Sequence, residues 1–198
     1  MASELKKNFY EVIIANGFDR SALKILKSKK NLRLIYASKF SLNENIKFNS
    51  FENSILIQST DNQHISKKNI KIVSKKKPNK TQIENLLFAF NICRFVKSNA
   101  IVLVSNKSTV GIGSGQPSRL DSCQIAIDKM DKFNNTQDEI VAASDAFFPF
   151  QDGIEKLIQS GVSAVIQPSG SIRDKDIISF ANATGTVLVF SKTRHFNH

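Results

Sequence analysis

The feature that most constrains the fold is a regular alternation of short apolar runs with amphipathic segments in the second half of the chain. The run "AIVLVSNKSTVGI" predicts two strands joined by a turn at Asn106 and Lys107, a β-hairpin. The elements predicted after it are a helix from Pro117 to Phe133, a strand at "EIVAAS", a helix over 152–159, a strand at "SAVIQP", a helix over 173–183 and a strand at "TVLVF". Apolar strands separated by helices are typical of a layered α/β sheet with helices on both faces.

The first half of the chain shows the same pattern less regularly. Strands are predicted at "FYEVIIA", "LRLIYA", "NSILIQS" and "NIKIVS", with a helix near 19–27 that Asp19 or Ser21 caps. The lysine-rich stretch at 75–80 is the one plausible boundary, and we expect residues 1–198 to form a single domain.

A further helix is predicted in the middle of the chain. Thr81 and Glu84 form the capping box T-Q-I-E, and apolar residues at helical spacing follow it. The pattern predicts a buried helix that runs to Val96.

Cysteine content and hydropathy indicate where the chain resides. Cys93 and Cys123 lie far apart, which is typical of structural thiols in a reducing cytoplasm. No apolar run approaches the ~20 residues that span a bilayer, and the N-terminus shows no small-residue cleavage site. We therefore expect a cytoplasmic protein with neither a signal peptide nor a membrane partner.

The positive charge is concentrated in the first half of the chain. The net charge is +11, and residues 1–97 hold 19 lysines and arginines against 7 aspartates and glutamates. One interpretation is a surface that binds nucleic acid, and the other is a solvated basic face. The lysine runs lack the interleaved aromatic residues that stack on bases, so the second is favoured.

The stretch "GIGSGQPSR" places Gly111, Gly113 and Gly115 shortly before Arg119. It falls one position short of the dinucleotide pattern G-x-G-x-x-G, and it lacks the G-K-[ST] of a P-loop. Two interpretations remain open. A strand leading into a helix N-terminus would present N–H groups and Arg119 to an anion. Alternatively, the glycines merely permit a tight connection between a strand and a helix.

Other polar clusters lie next to predicted strand ends, at "KSNA", "SDAFFPFQDG", "QPSGSIRD" and the closing "TRHFNH". Loops beyond the carboxyl ends of strands meet at one edge of an α/β sheet, where ligands bind. The phenylalanines of the second cluster would either line a slot for a flat heterocycle or fill the core.

Several familiar chemistries are absent from the sequence. It contains no C-x-x-C, no H-x-E and no G-x-S-x-G, which excludes a zinc deaminase site and a nucleophile elbow. His195 and His198 lie three residues apart, but no third ligand suggests itself, so no metal is predicted.

Five motifs in order carry a resemblance to a known family: "VKSNAIV", "VGIGSGQPSR", "ASDAFFPFQDG", "IQPSGSIRD" and "RHFNH". Together they resemble the C-terminal part of the bifunctional AICAR transformylase/IMP cyclohydrolase family. The match is strongest over residues 95–198, and the preceding stretch resembles the region just before it.

The resemblance implies formyl transfer from 10-formyltetrahydrofolate, as co-substrate, to the amino group of the ribonucleotide AICAR. It also implies a cytidine-deaminase-like α/β unit without zinc, and a homodimer with active sites at its interface. We do not expect nucleic acid as a partner.

The same resemblance implies roles for eight residues. By motif, the AICAR-binding residues are Asn99, Arg119, Phe147 and Arg194, and the folate-contacting residues are Leu120, Asp152, Ser171 and Ile172. Two arginines suit a nucleotide monophosphate, because charge-assisted hydrogen bonds to phosphate are strong and often bidentate. The glycine stretch is then a wall of the site that presents Arg119.

One departure from the family limits these expectations. The Lys-His pair of the transformylase centre has no counterpart, since the chain contains no Lys-His dipeptide, and by the resemblance we expect the cyclohydrolase domain to be absent. We therefore predict no catalytic residue in this chain and an isolated activity that is nil or very weak. The alternative is a non-catalytic nucleotide-binding or regulatory module of the same fold.

Overall fold

The computed structural model describes residues 1–38, 46–133 and 139–198. The chain forms two compact units, residues 1–57 and 58–198. This division lies well before the lysine-rich stretch at 75–80. The expectation of a single domain over the whole chain stays a prediction.

The first unit contains two small sheets. Its elements are α1 (Ala2–Lys7), β1 (Val12–Ala15), α2 (Arg20–Leu26), β2 (Arg33–Tyr36), β3 (Ile46–Phe51) and β4 (Ser54–Ser59), the last of which ends just beyond the unit. β1 and β2 pair in parallel, and β3 and β4 form the second sheet. As predicted, Asp19 caps α2, because its Oδ1 accepts a hydrogen bond of 2.7 Å from the Ala22 N–H.

The second unit is built on a six-stranded sheet. Its elements are β5 (Ile70–Ile72), α3 (Lys80–Cys93), β6 (Ile101–Ser105), β7 (Ser108–Gly113), α4 (Arg119–Phe133), β8 (Ile140–Ser144), α5 (Asp152–Gln159), β9 (Val162–Pro168), α6 (Asp174–Ala183) and β10 (Val187–Ser191). The strand order is β5-β10-β9-β8-β6-β7. β8, β9 and β10 are mutually parallel, whereas β5 and β6 run antiparallel to their neighbours.

Helices cover both faces of this sheet, which confirms the predicted α/β class. Successive residues of β6 point to opposite faces, so Leu103 joins one apolar cluster and Val104 the other. The cluster around Val104 contains Phe90 of α3, and the cluster around Leu103 contains residues of α4, α5 and α6. Within the described ranges, no helix is long and apolar enough to cross a membrane.

The sequence predicted the hairpin correctly. It placed the N-terminal signals of two helices, α3 and α4, at the wrong residues. Asn106 and Lys107 have φ of 50° and 58°, as a tight turn between β6 and β7 requires. The capping box of α3 is formed by Asn79 and Gln82 instead of Thr81, because each of these two side chains accepts from the other's backbone N–H.

The helix predicted from Pro117 also begins later, at Arg119. The carbonyl of Pro117 accepts from the side chain of Asn99 at 3.0 Å, and the first helical turn is closed by Ser122 N–H donating to the Ser118 carbonyl.

Two glycines of the stretch "GIGSGQPSR" allow α4 to pack closely against β7. Gly111 and Gly113 lie within β7, where an added Cβ would come within 2.1 Å of the Ala126 carbonyl oxygen and 1.8 Å of the Ser122 carbonyl oxygen of α4. Gly115 has a φ of +68°, and its N–H donates to the Lys97 carbonyl at 2.8 Å. That N–H is therefore committed to the backbone. The first two glycines let α4 approach the sheet and so fix where Arg119 lies.

Candidate functional site

Strand direction brings the predicted site segments to one edge of the six-stranded sheet. β7, β8, β9 and β10 all end at the edge where the antiparallel strand β6 begins. Asn99 precedes β6, Arg119 follows β7, and the aromatic loop at 145–151 follows β8. The loop at 169–172 follows β9, and the C-terminal segment at 192–198 follows β10.

A cavity of about 520 Å³ opens at this edge. Its lining includes six of the eight predicted residues, namely Asn99, Arg119, Leu120, Phe147, Asp152 and Arg194. Ser171 and Ile172 are not among its lining residues, and the Ile172 side chain is fully exposed.

Arg119 is held by three side chains at the first position of α4. Its Nη1 forms an ion pair with Asp145 and donates to Oγ of Ser144 at 2.9 Å, while its Nη2 donates to Oδ1 of Asn99 at 2.8 Å. The Arg119 side chain is 10% exposed and that of Asp145 is fully buried. Charge-assisted hydrogen bonds in such surroundings fix the guanidinium in one orientation.

The Asn99 amide is oriented by the same network. Its Nδ2 donates to the carbonyls of Gln116 and Pro117 at 2.9 and 3.0 Å, and its Oδ1 accepts from Arg119. These contacts tie the residue before β6 to the segment before α4. Asn99 and Arg119 therefore form one rigid polar wall of the cavity.

Asp145 is the structural centre of the site, and sequence reasoning assigned it no role. Its Oδ2 accepts from the Ser98 hydroxyl at 2.6 Å, and its backbone carbonyl accepts from the His195 N–H at 3.0 Å. The buried carboxylate of Asp145 thus joins Arg119 to the residue before Asn99, and its backbone carbonyl holds the C-terminal segment. The signal was present in the sequence, since Asp145 directly follows the buried strand Ile140–Ser144, whose first four residues are apolar.

The phenylalanines of the aromatic loop take both of the roles that the sequence left open, since one fills the core and another lines the cavity. Phe148 is buried in the core, and a Cβ at Gly153 would lie 2.8 Å from its ring. Phe147 lines the cavity, and the Arg194 guanidinium carbon lies 4.8 Å from its ring centroid. This separation is typical of a cation–π contact. The loop therefore supplies both a core residue and an aromatic surface.

Two more predicted residues lie beside these groups. Leu120 follows Arg119 on α4, and Asp152 is the first residue of α5, where its Oδ1 accepts from the Gly153 N–H at 2.7 Å. Asp152 is exposed at the mouth of the cavity, whereas Asp145 is buried.

The loop that carries Ser171 and Ile172 passes close to Arg194. Asp174 accepts from the N–H groups of Gly170 and Ser171, at 2.8 and 3.2 Å. A Cβ on Gly170, whose φ is +110°, would lie 3.7 Å from Nη2 of Arg194. Ser171 and Ile172 therefore lie beside the cavity but do not line it, and their contact with folate stays a prediction.

The C-terminal segment is anchored by a buried histidine. Nδ1 of His195 lies 2.5 Å from Oδ2 of Asp61, and its ring packs at 4.5 Å between centroids against Phe90. This anchor holds the neighbouring Arg194 at the cavity. Across the described parts of the chain, no three His, Cys, Asp or Glu side chains are grouped so as to hold a metal ion.

The fold and the site define an α/β protein with a cavity at one edge of its sheet that contains two arginines, Arg119 and Arg194. A sequence model of the family described as the AICARFT/IMPCHase bienzyme matches residues 1–129. Bifunctional purine biosynthesis proteins PurH from two bacteria, Buchnera aphidicola (subspecies Schizaphis graminum) and Leptospira biflexa (Patoc 1), are each 45% identical to the chain. A PurH protein from Persephonella marina is 42% identical.

The chain belongs to the AICARFT/IMPCHase bienzyme family. These alignments cover 98–100% of the chain but 37–39% of the relatives' own length. The chain therefore spans about two fifths of the PurH proteins that it matches.

Proposed function

We propose that this chain takes part in purine biosynthesis as the C-terminal part of an AICAR formyltransferase. The reaction moves a formyl group from 10-formyltetrahydrofolate to the 5-amino group of AICAR, in the cytoplasm. The observation that carries this proposal is the convergence of Asn99, Arg119, Phe147 and Arg194 on one cavity. Membership in the family supplies the reaction class.

The two arginines have different parts in this proposal. Asp145 already neutralises Arg119, so Arg119 serves to hold the Asn99 amide toward the polar groups of the AICAR base. Arg194 is exposed and stacked on Phe147, and among the described residues it forms no ion pair with a carboxylate. Its guanidinium is therefore the group that binds the nucleotide phosphate, with the aminoimidazole ring against Phe147.

Leu120 and Asp152 are proposed to contact the folate from the cavity wall. Ser171 and Ile172 would contact it across a homodimer interface, since both lie outside the cavity of their own chain.

Formyl transfer also needs a base for the weakly nucleophilic amine. Asp145 is buried and paired with Arg119, and the chain contains no Lys-His dipeptide. The loss of a positioned general base lowers the rate about 10²–10⁴-fold. We propose that the missing groups lie in the part of PurH that this chain does not span.

A formyl-transfer assay tests the proposal. The chain is incubated with AICAR and 10-formyltetrahydrofolate, and formyl-AICAR is measured with the chain alone and after addition of a PurH protein that keeps its Lys-His pair but carries alanine in place of the arginine that matches Arg194, a variant expected to be inactive by itself. The chain alone is expected to give no turnover, and the mixture is expected to recover activity through mixed dimers. Turnover by the chain alone contradicts its incompleteness, and a mixture without activity contradicts its role in the reaction.

A further inference from the structure

Two phenylalanines of the aromatic loop each stack against an arginine. The guanidinium carbon of Arg194 lies 4.8 Å from the ring centroid of Phe147, and that of Arg173 lies 4.8 Å from the ring centroid of Phe150. Both phenylalanines line the cavity of about 520 Å³. The pair of Arg194 and Phe147 belongs to the proposed AICAR site, whereas the pair of Arg173 and Phe150 has no role in it.

Phe150 presents an aromatic surface at the cavity. It is 52% exposed, whereas Phe148, two residues earlier, is buried in the core. Ligand cavities are lined mainly by apolar and aromatic side chains, and aromatic rings stack favourably on one another. The exposed ring of Phe150 is therefore suited to a flat group of a ligand.

The backbone fixes the position of Arg173 beside this ring. The N–H of Arg173 donates to Oγ of Ser171 at 3.1 Å, and its carbonyl accepts from the Asp176 N–H at 3.0 Å, at the start of α6. The side-chain amide of Gln151 donates to the Asp176 carbonyl at 3.4 Å, so the residue after Phe150 is also tied to α6. The contact between the guanidinium and the ring thus joins two segments that are already anchored to each other.

The charge of Arg173 is available to a ligand. Among the described residues, no carboxylate lies within ion-pair distance of its guanidinium. The carboxylate of the next residue, Asp174, instead accepts from the N–H groups of Gly170 and Ser171. A guanidinium without a counter-charge can form a bidentate pair with the carboxylate of a ligand.

The two substrates of the proposed reaction each carry a flat ring and an anionic group. AICAR has an aminoimidazole ring and a phosphate. 10-Formyltetrahydrofolate has a p-aminobenzoyl ring joined by an amide bond to glutamate, which bears two carboxylates. One aromatic–arginine pair for each substrate accounts for the presence of two such pairs at one cavity.

We propose that Phe150 and Arg173 form the subsite for the tail of the formyl donor, with the p-aminobenzoyl ring on Phe150 and a glutamate carboxylate on the Arg173 guanidinium. This subsite rests on the proposed function, because it takes the formyl donor as the second ligand of the cavity. Arg173 then determines the preference of the site for folates that carry glutamate.

Two stable probes that differ only in the glutamate test this subsite. One is 10-formylfolic acid, and the other is 10-formylpteroamide, in which an uncharged carboxamide replaces the glutamate. In calorimetric titration, the unaltered chain is expected to bind 10-formylfolic acid about tenfold more tightly, because a hydrogen bond between charged groups is lost with the glutamate. This comparison uses the unaltered chain, so it does not depend on a variant folding.

Three variants assign the preference to its residues. Arg173→Gln is expected to lower the affinity for 10-formylfolic acid about tenfold and that for 10-formylpteroamide less than about twofold. Lys175→Gln removes an exposed charge two residues further along α6, and as the matched control it is expected to bind both probes normally. Phe150→Leu is expected to weaken both probes by the same factor, because both keep the p-aminobenzoyl ring.

Three results overturn the subsite: equal affinities of the two probes for the unaltered chain, an equal loss for both probes in Arg173→Gln, or the same loss in Lys175→Gln. Titration of the unaltered chain with AICAR separates this failure from that of the proposed function. A chain that binds AICAR but not 10-formylfolic acid lacks the subsite and keeps its AICAR site. A chain that binds neither contradicts the proposed function as well.

Discussion

Nη2 of Arg119 donates a hydrogen bond of 2.8 Å to Oδ1 of Asn99, and this contact joins two residues 20 positions apart into one wall of the cavity. The other terminal nitrogen, Nη1, contacts Ser144 and Asp145. The planar guanidinium therefore binds three side chains at once. An ammonium group cannot reproduce that geometry.

Arg119→Lys is therefore expected to lower the affinity for AICAR about tenfold although the charge is kept. Arg173→Lys is the matched control, since Arg173 stacks on Phe150 at 4.8 Å without belonging to this network. Equilibrium dialysis with labelled AICAR compares the two variants. Equal affinities for Arg119→Lys and the unaltered chain would mean that the fork geometry is not used.

Asp145 should matter more for folding than any other acidic residue of the site. Asp145→Asn leaves the buried guanidinium of Arg119 without its counter-charge, and breaking a buried ion pair in this way costs about 3–5 kcal/mol. Urea unfolding followed by circular dichroism measures the free energy of unfolding. Asp152→Asn, at an exposed position, is expected to change it by less than ~0.5 kcal/mol; similar losses in both variants would refute the central position of Asp145.

The close approach of β7 and α4 gives a steric prediction. Gly113→Ala would place a Cβ 1.8 Å from the Ser122 carbonyl oxygen, which forces the helix away from the sheet and costs ~3 kcal/mol. Gly17→Ala is the control, because its Cβ would meet nothing closer than Tyr36 at 3.8 Å. Thermal unfolding is expected to shift for the first variant and not for the second. An unchanged melting temperature for Gly113→Ala would contradict the packing described.

The thiols of Cys93 and Cys123 are expected to be unreactive in the folded chain. Burial raises the pKa of Cys123 to about 12 and raises that of Cys93 well above its ordinary range. Since the thiolate is the reactive form, a disulfide reagent at about pH 8 is expected to modify neither cysteine until denaturant is added. Rapid labelling of the native chain would show that one thiol is accessible.

The raised pKa of Cys123 also predicts the direction of a pH effect on stability. An unfolded thiol ionises near pH 9.0, whereas the folded one keeps its proton to about pH 12. The contribution of Cys123 to the free energy of unfolding is therefore constant below about pH 9 and becomes destabilising to the folded state as the pH rises from 9 towards 12. Cys123→Ala is expected to flatten this part of the urea-unfolding profile, and a profile of unchanged slope would exclude Cys123 as its cause.

The elements that the sequence predicted well are those whose own residues determine their environment. The central strands β6, β8, β9 and β10 are mostly apolar and buried, because both faces of the sheet are covered, and α5 begins and ends at the predicted residues Asp152 and Gln159. The turn at Asn106 and Lys107 follows from local backbone preference alone. The family motifs likewise indicated most of the cavity lining.

The features that the sequence did not predict depend on contacts between distant segments. Gly111 and Gly113 looked like a turn because the carbonyl groups of α4 that exclude a side chain there cannot be seen in a local pattern. Asp145 acquires its role from Ser98, Arg119 and the C-terminal segment, which only the fold brings together. The short helix α1 escaped prediction because it has no buried residue to give it an apolar stripe.

Calorimetric titration with AICAR tests the central claim most directly. The unaltered chain is expected to bind AICAR with a measurable heat. Arg194→Ala is expected to bind at least tenfold more weakly, because its guanidinium is the proposed phosphate ligand. Lys192→Ala removes a nearby exposed cation that does not line the cavity and is expected to bind normally. Absence of heat from the unaltered chain, or equal affinities for all three proteins, would contradict the assignment of this cavity to AICAR.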